Sequence, residues 1–527
     1  MSAMCLVSRR TCGHRAIRTT PAWLWTTAVA LMWSIVLSAT RVAGGEAGAL
    51  WRGFAGDPQH TALSTVAAQS LDGIRWQTPV DLDPQYSGTS LLIHYGSPVV
   101  TTANTVIVPV KVGSSGGFRV EAHNGSDGAL LWKAPSDYLL PPHDWTPSFN
   151  PALTPSGRLY YPGAGGTVRF RDTPDAPTGP SGQIAFYGIS HYQARTLSFA
   201  KNVRINTPLT TDAAGNVFFG FEVLAPTPPL LQSGIARIDA DGTGAWISAV
   251  AAVSDPAIVK VVHNSAPALS NDQSTLYVAV TTATGTGSGS GYLAALDSHT
   301  LAPVAKVRLL DVLSGRAALL PEAGTASPTV GPDGDVYFGV LGSSITANNE
   351  RGWLLHFDAG LTEAKIPGAF GWDDTASIVP AAIVPSYAGA STYLVMTKYN
   401  NYVGAGGDGV NKVAVLDPNT SFVDPVSGAT VMSEVLTVVG PTPDPSPGHP
   451  NAVQEWCINS AVVDPVTKSI LVNNEDGRLY RWDLGSNTLS QAVALTSGVG
   501  EAYTPTLIGA DGTVYAINNA VLFAVGE

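Results

Sequence analysis

The sequence predicts an all-β fold: an eight-bladed β-propeller of four-stranded antiparallel blades, the last blade completed by a strand from the N-terminal part of the chain. Three observations carry this expectation. The composition suits many tight turns, one strand–turn–strand pattern recurs along the chain, and the final repeat is too short to stand alone. The 527 residues include 55 glycines and 38 prolines, and only 13% are charged. Such a chain favours short strands joined by turns over long amphipathic helices.

Each repeat opens with a small residue, usually followed by proline and a short apolar strand. The openings read Ser97-Pro98-Val99-Val100, Thr146-Pro147-Ser148-Phe149, Thr207-Pro208-Leu209 and Ala266-Pro267-Ala268-Leu269. They continue with Ser327-Pro328-Thr329-Val330, Ala376-Ser377-Ile378-Val379, Ser460-Ala461-Val462-Val463 and Thr504-Pro505-Thr506-Leu507. Their spacing lies between 44 and 62 residues, apart from one interval of 84. Turns such as Pro155-Ser156-Gly157, Pro332-Asp333-Gly334 and Ala510-Asp511-Gly512 then lead into strand-like runs, which is hairpin chemistry. The last repeat has room for about three strands. The early run Ile74 to Val80 (IRWQTPV) is expected to supply the fourth and close the ring, removing exposed sheet edges.

A family resemblance follows from two motifs. The stretch Ala122 to Trp132 (AHNGSDGALLW) resembles the tryptophan-docking motif of quinoprotein propellers, with partial copies around Asp239, Asp297 and Asp417. The run Trp51-Arg52-Gly53-Phe54-Ala55-Gly56-Asp57 is similar to the start of such propellers. The chain is thus identified as resembling the quinoprotein (PQQ-like) β-propeller repeat superfamily, as a non-dehydrogenase member. The superfamily includes quinone-dependent alcohol dehydrogenases and also scaffold lipoproteins, so the resemblance implies the fold and leaves the activity open. The mature chain lacks an adjacent cysteine pair, a C-x-x-C-H haem site and a clear match to the calcium-binding set of the dehydrogenases, so the quinone PQQ is not an expected cofactor.

Residues 1–44 read as a secretory signal. Arg9, Arg10, Arg15 and Arg18 precede the apolar run Ala22 to Ala39, and small residues follow. The apolar run is long enough for an uncleaved anchor to stay open as an outcome. The expected product is one propeller domain over residues 45–527, secreted, periplasmic or at the cell surface, monomeric, with no membrane span beyond the signal. The whole chain carries 28 basic and 40 acidic residues, a net charge of −12. Loss of five N-terminal arginines leaves 23 against 40, or −17, which excludes nucleic acid as a natural partner.

Long connections such as 224–233, 281–291 and 440–450 alternate with short hairpin turns and should gather at one end of the channel. Four residues before each proline position stand His94, His143, Arg204, His263, Gly324, Asp373, Cys457 and Glu501. Asp144, Asp374, Glu455, Tyr95 and Tyr503 stand beside them. A ring of these residues at the channel mouth could hold a divalent or transition metal through His94, His143, His263 and Glu501. It could instead move protons in a lyase or hydrolase acting on extracellular glycans, or bind a ligand by hydrogen bonds with Arg204 as a carboxylate clamp. The bland alternative is a wet polar channel whose groups satisfy one another. The preferred expectation is a binding or scaffold module that takes a small molecule, glycan or protein segment at this mouth.

Overall fold

The computed structural model describes residues 49–88, 90–93, 95–114, 116–147, 149–456, 458–498 and 505–527; the signal reading lies outside them. Eight antiparallel sheets form an eight-bladed propeller. Blade 2 shows the plan: Ala152–Leu153, Leu159–Pro162, Thr167–Arg171 and Ser181–Ala185 follow one another from the channel outwards. The innermost strands are short, often two residues, because proline stands before them and cannot donate to a ladder. The hairpin turn after the inner strand needs a left-handed residue, supplied by glycine at equivalent places: Gly157, Gly215, Gly334 and Gly512 have φ of 87°, 88°, 92° and 86°.

Ring closure follows the expected route. Gly73–Pro79 pairs antiparallel with Val521–Gly526 as the outer strand of blade 8. The long interval in blade 6 comes from its strands Lys412–Val423 and Thr430–Val439 and the connection beyond them. One opening differs from the sequence reading. Blade 2 starts at Asn150-Pro151-Ala152-Leu153, four residues after Thr146-Pro147, because Leu153 and Ala152 are the residues that pair with Leu159 and Tyr160.

Blades pack through apolar faces, with Trp353, Trp456 and Trp482 fully buried. Each such side chain contributes roughly 1.5–3 kcal/mol by leaving water. The docking tryptophans join neighbouring blades. Trp132 donates its indole N–H to the carbonyl of Pro174 at 2.6 Å, under the Arg171 guanidinium. Trp76 donates to the Gly125 carbonyl at 2.8 Å and stacks with His123. A Cβ on Gly128, whose φ is +73°, would fall 2.7 Å from the Trp76 ring, which explains glycine there.

The segment Trp51 to Ser64 winds inside the ring and visits the blades in order. Its strand Ala49–Trp51 pairs with blade 1, and Arg52 O accepts the N–H of Leu153 in blade 2. Pro58 O, Gln59 O, Thr61 O and Ala62 O accept from Leu269, Val330, Ile378 and Val463 of blades 4 to 7. The inner strands would otherwise expose unpaired edges to the channel. Buried Phe54 and His60 pack edge to face at its centre. Asp57 braces the coil by accepting from the N–H groups of Gln59 and Thr61 at 3.0 Å each. This clasp fills the channel at the end of the short hairpin turns. Among the described residues no helix is long and apolar enough to cross a membrane.

Candidate channel-mouth site

The opposite end of the channel receives the connections between second and third strands and between blades, including the long ones. Ser, Thr and Asn cluster there because their polar groups join neighbouring blades. Ser97 N donates to Asn150 Oδ1 at 2.5 Å, Ala266 N to Ser327 Oγ at 2.9 Å, and Ser327 N to Thr375 Oγ1 at 2.9 Å. Thr375 N donates to Asn459 O at 2.8 Å and Thr506 N to Ser460 O at 3.3 Å. Several buried atoms of the same ring have no hydrogen-bond partner in the protein: Asn150 Nδ2, Asn206 Oδ1, Ser265 Oγ, Asn459 Oδ1 and Ser460 Oγ. Buried polar groups of this kind are ordinarily satisfied by water or ligand.

Charged groups form two clusters above this ring. The first spans blades 3 to 5 around His263, which is buried. Its Nδ1 lies 3.3 Å from Glu322 Oε1, and its Nε2 lies 3.1 Å from Lys260 Nζ and 3.4 Å from Glu222 Oε2. Nε2 thus faces a donor in Lys260 and an acceptor in Glu222, so its role depends on the tautomer, whereas Nδ1 faces the carboxylate of Glu322. Burial opposes ionisation of Glu222, but His263 and Lys260 more than offset it and hold its carboxyl below the usual range. Glu322 reaches further: its Oε2 accepts from the backbone N–H of Asp144 at 3.2 Å and of Trp145 at 3.5 Å.

The second cluster spans blades 5 to 7. Asp373 accepts from Thr325 Oγ1 at 2.6 Å and from Lys398 Nζ at 3.3 Å. Asp374 accepts from the Lys398 backbone N–H at 3.3 Å. Burial raises both carboxyls, Asp374 to about 8, with Lys398 only partly opposing it. Glu455 is likewise pushed up to about 8, by burial and then by the charge of Glu475. Asn400 fixes the strand edge beside it, donating to Trp456 O at 3.1 Å and accepting from Trp456 N at 3.0 Å.

The candidate residues therefore fall in several places. His263, Asp373 and Asp374 are buried in these clusters, and Asp144 is joined to the first through its backbone. Arg204 is held by carbonyls, its Nε donating to Leu140 O at 3.1 Å and a terminal nitrogen to Ala200 O. Tyr95 donates to Asp81 Oδ2 at 3.3 Å, and Asp81 takes both carboxylate contacts from Lys111 at 3.0 and 3.1 Å. His143 precedes the shifted blade 2 opening, with Nδ1 2.7 Å from Pro141 O, so its slot in the aligned ring belongs to Pro147. His94, Cys457, Glu501 and Tyr503 lie outside the described residues. Among the described residues no three His, Cys, Asp or Glu side chains are grouped to hold a metal.

Glu222, Lys260, Glu322 and Lys398 were not singled out by the sequence. Their signal is a charged residue in or beside an apolar strand, as in Val217–Val223 (VFFGFEV) and Tyr393–Tyr399 (YLVMTKY). A separate groove of about 570 Å³ runs beside the outer strands of blades 2 and 3, past Tyr187, Pro229 and Trp246, and no charged side chain lines it.

No family model matches the chain, and no curated protein sequence matches it. Among solved structures, a quinohemoprotein alcohol dehydrogenase from Pseudomonas putida HK5 is 13% identical with a TM-score of 0.50, over 90% of this chain and 76% of that one. The quinohemoprotein alcohol dehydrogenase from Comamonas testosteroni is 12% identical with a TM-score of 0.49, over 90% and 76%. BamB from Moraxella catarrhalis is 12% identical with a TM-score of 0.32, over 89% and 97%. At these identities the likeness is one of fold alone.

Proposed function

We propose that the chain is an exported binding or scaffold propeller that takes its ligand at the long-loop mouth of the channel. The observation that supports this reading is the asymmetry of the channel. One end is filled by the Trp51–Ser64 clasp, whose groups are spent on the inner strands. The other end gathers unpartnered buried polar atoms from blades 2, 3, 4 and 7 beneath two charged clusters. A channel filled at one end and lined at the other by polar groups that lack protein partners suits capture of a small molecule, a glycan end or an extended partner segment.

Binding needs no activated nucleophile, and His263 is engaged on both ring nitrogens. The test is a thermal-shift screen of the purified chain against monosaccharides, glycan fragments, amines and peptides, repeated on Glu322→Gln. A saturable rise in Tm that the variant weakens supports the reading. A screen without any shift, or with shifts indifferent to the variant, refutes it.

A further inference from the structure

The perimeter groove between blades 2 and 3 lies at two open strand edges. The outer strand of blade 2, Ser181–Ala185, and that of blade 3, Gly244–Ser248, each pair on one side only. The ladder of blade 3 can be counted from its turn, where Asp239 N–H donates to Thr243 O at 2.8 Å. Bonded and non-bonded pairs alternate from there. Arg237–Ala245 and Ile235–Ile247 are bonded pairs, so Gly244 and Trp246, opposite Ile238 and Ala236, turn their N–H and C=O groups outwards. Blade 2 counts the same way from Asp172 N–H, which donates to Pro180 O at 3.0 Å. That leaves Gln183 facing outwards, opposite Arg169. Among the described residues nothing bonds the main chain of Gly244, Trp246 or Gln183 on that side. All three residues line the groove of about 570 Å³.

Open edges are ordinarily blunted by charge or proline. Four other outer strands follow this rule, with Lys133 and Pro135 in blade 1, Lys306 and Arg308 in blade 4, Glu434 in blade 6 and Arg75 in blade 8. The uncharged outer strand of blade 7 instead has an earlier segment against it, Leu71 N–H donating to Gln491 Oε1 at 3.3 Å. The two strands at the groove, SGQIA and GAWIS, carry neither charge nor proline. Trp246 is half-buried and meets Phe221 edge to face at 6.0 Å. Side chains of a strand added to this edge would alternate, every second one entering the wedge between the blades beside Trp246.

Charge narrows the occupant. No charged side chain lines the groove, so charged residues in the paired stretch would lose hydration without a partner. Arg237 is paired with Asp239, whereas Asp241 is exposed and adjoins the lining Gly242 at one end of the groove. A basic residue just beyond the paired stretch complements Asp241 and the net charge of −12, and an acidic one opposes both.

We infer that this groove takes an extended, uncharged segment of a partner protein, added as a strand to Gly244–Ser248, with one side chain against Trp246 and a flanking basic residue towards Asp241. The surface is separate from the channel mouth and goes beyond the binding role assigned there. The test is isothermal titration of the purified chain with capped seven-residue peptides of alternating threonine and valine that end in lysine, the central residue being valine, leucine or phenylalanine. Saturable binding is expected, weakened about tenfold or more by Trp246→Ala while circular dichroism and Tm report an intact fold. Asp241→Asn, at an exposed site, should weaken the same peptide and leave its lysine-free analogue unchanged. Methylation of alternate peptide nitrogens should abolish binding in one phase and spare it in the other, as pairing on one side of a strand requires.

Binding that ignores the phase of methylation overturns the inference, and so does the absence of binding by every peptide. Maltotriose binding in place of the peptides, or self-association of the chain that Trp246→Ala abolishes, assigns the groove another occupant and overturns it as well. None of these outcomes bears on the Glu322→Gln screen at the mouth.

Discussion

Glu322 Oε1 lies 3.3 Å from His263 Nδ1, while the other oxygen of the same carboxylate accepts the backbone N–H of Asp144 at 3.2 Å. One buried side chain of blade 5 thus ties the inner end of blade 4 to the connection that leads into blade 2. Its partners lie 59 and 178 residues away in sequence, so only closure of the ring brings them together.

Glu322→Ala should therefore be costly. It leaves His263 Nδ1 and the two loop N–H groups without their acceptor. Loss of about 1–3 kcal/mol is expected for each buried donor left unsatisfied. Glu322→Gln keeps an acceptor and should lose less. Chemical denaturation compares the two, and equal stabilities would contradict the role assigned to the carboxylate.

The clasp gives a second prediction. Trp51 is 2% exposed, and its ring packs against Gly56 across the turn of the segment. Trp51→Ala should destabilise by about 3–5 kcal/mol through the cavity it leaves. Hydrogen exchange should accelerate most at the amides that the clasp satisfies, those of Leu153, Leu269, Val330, Ile378 and Val463. Uniform acceleration across all blades would argue against a clasp that acts on the inner strands.

The blades were legible because most of them write the same pattern, small residue, proline, short strand, tight turn. Blade 2 shows the limit of that signal. Thr146-Pro147 and Asn150-Pro151 both fit it locally, and only the pairing of Ala152 with Tyr160 decides between them. The resulting four-residue shift is what took His143 out of the aligned ring. The clasp was legible only as a motif, since a coil that satisfies other strands has no period of its own. His263 and Asp373 could be found by counting back from the prolines. Glu322 and Lys398 could not, because they reach the same places from other connections and strands. A lone charge in an apolar strand was the available clue: Lys111, Glu222 and Lys398 all stand near the mouth end of second strands, and each is buried and paired.

Asp374 provides a prediction in pH. Burial raises its carboxyl to about 8 in the folded chain, against about 3.9 for the unfolded chain. Between those values the native state binds more protons than the unfolded state, so stability falls as pH rises from about 4 through about 8. Asp374→Asn removes the titrating group while keeping nearly the same shape, and the asparagine carbonyl can still accept from the Lys398 backbone N–H. The variant should come nearest the parent below about pH 3, where the carboxyl is protonated in both states, and exceed it increasingly from about pH 4 towards pH 9. Thermal unfolding across that range checks the sign directly. A variant that loses stability at high pH would mean that the ionised carboxylate is compensated in place, with Lys398 as its counter-ion.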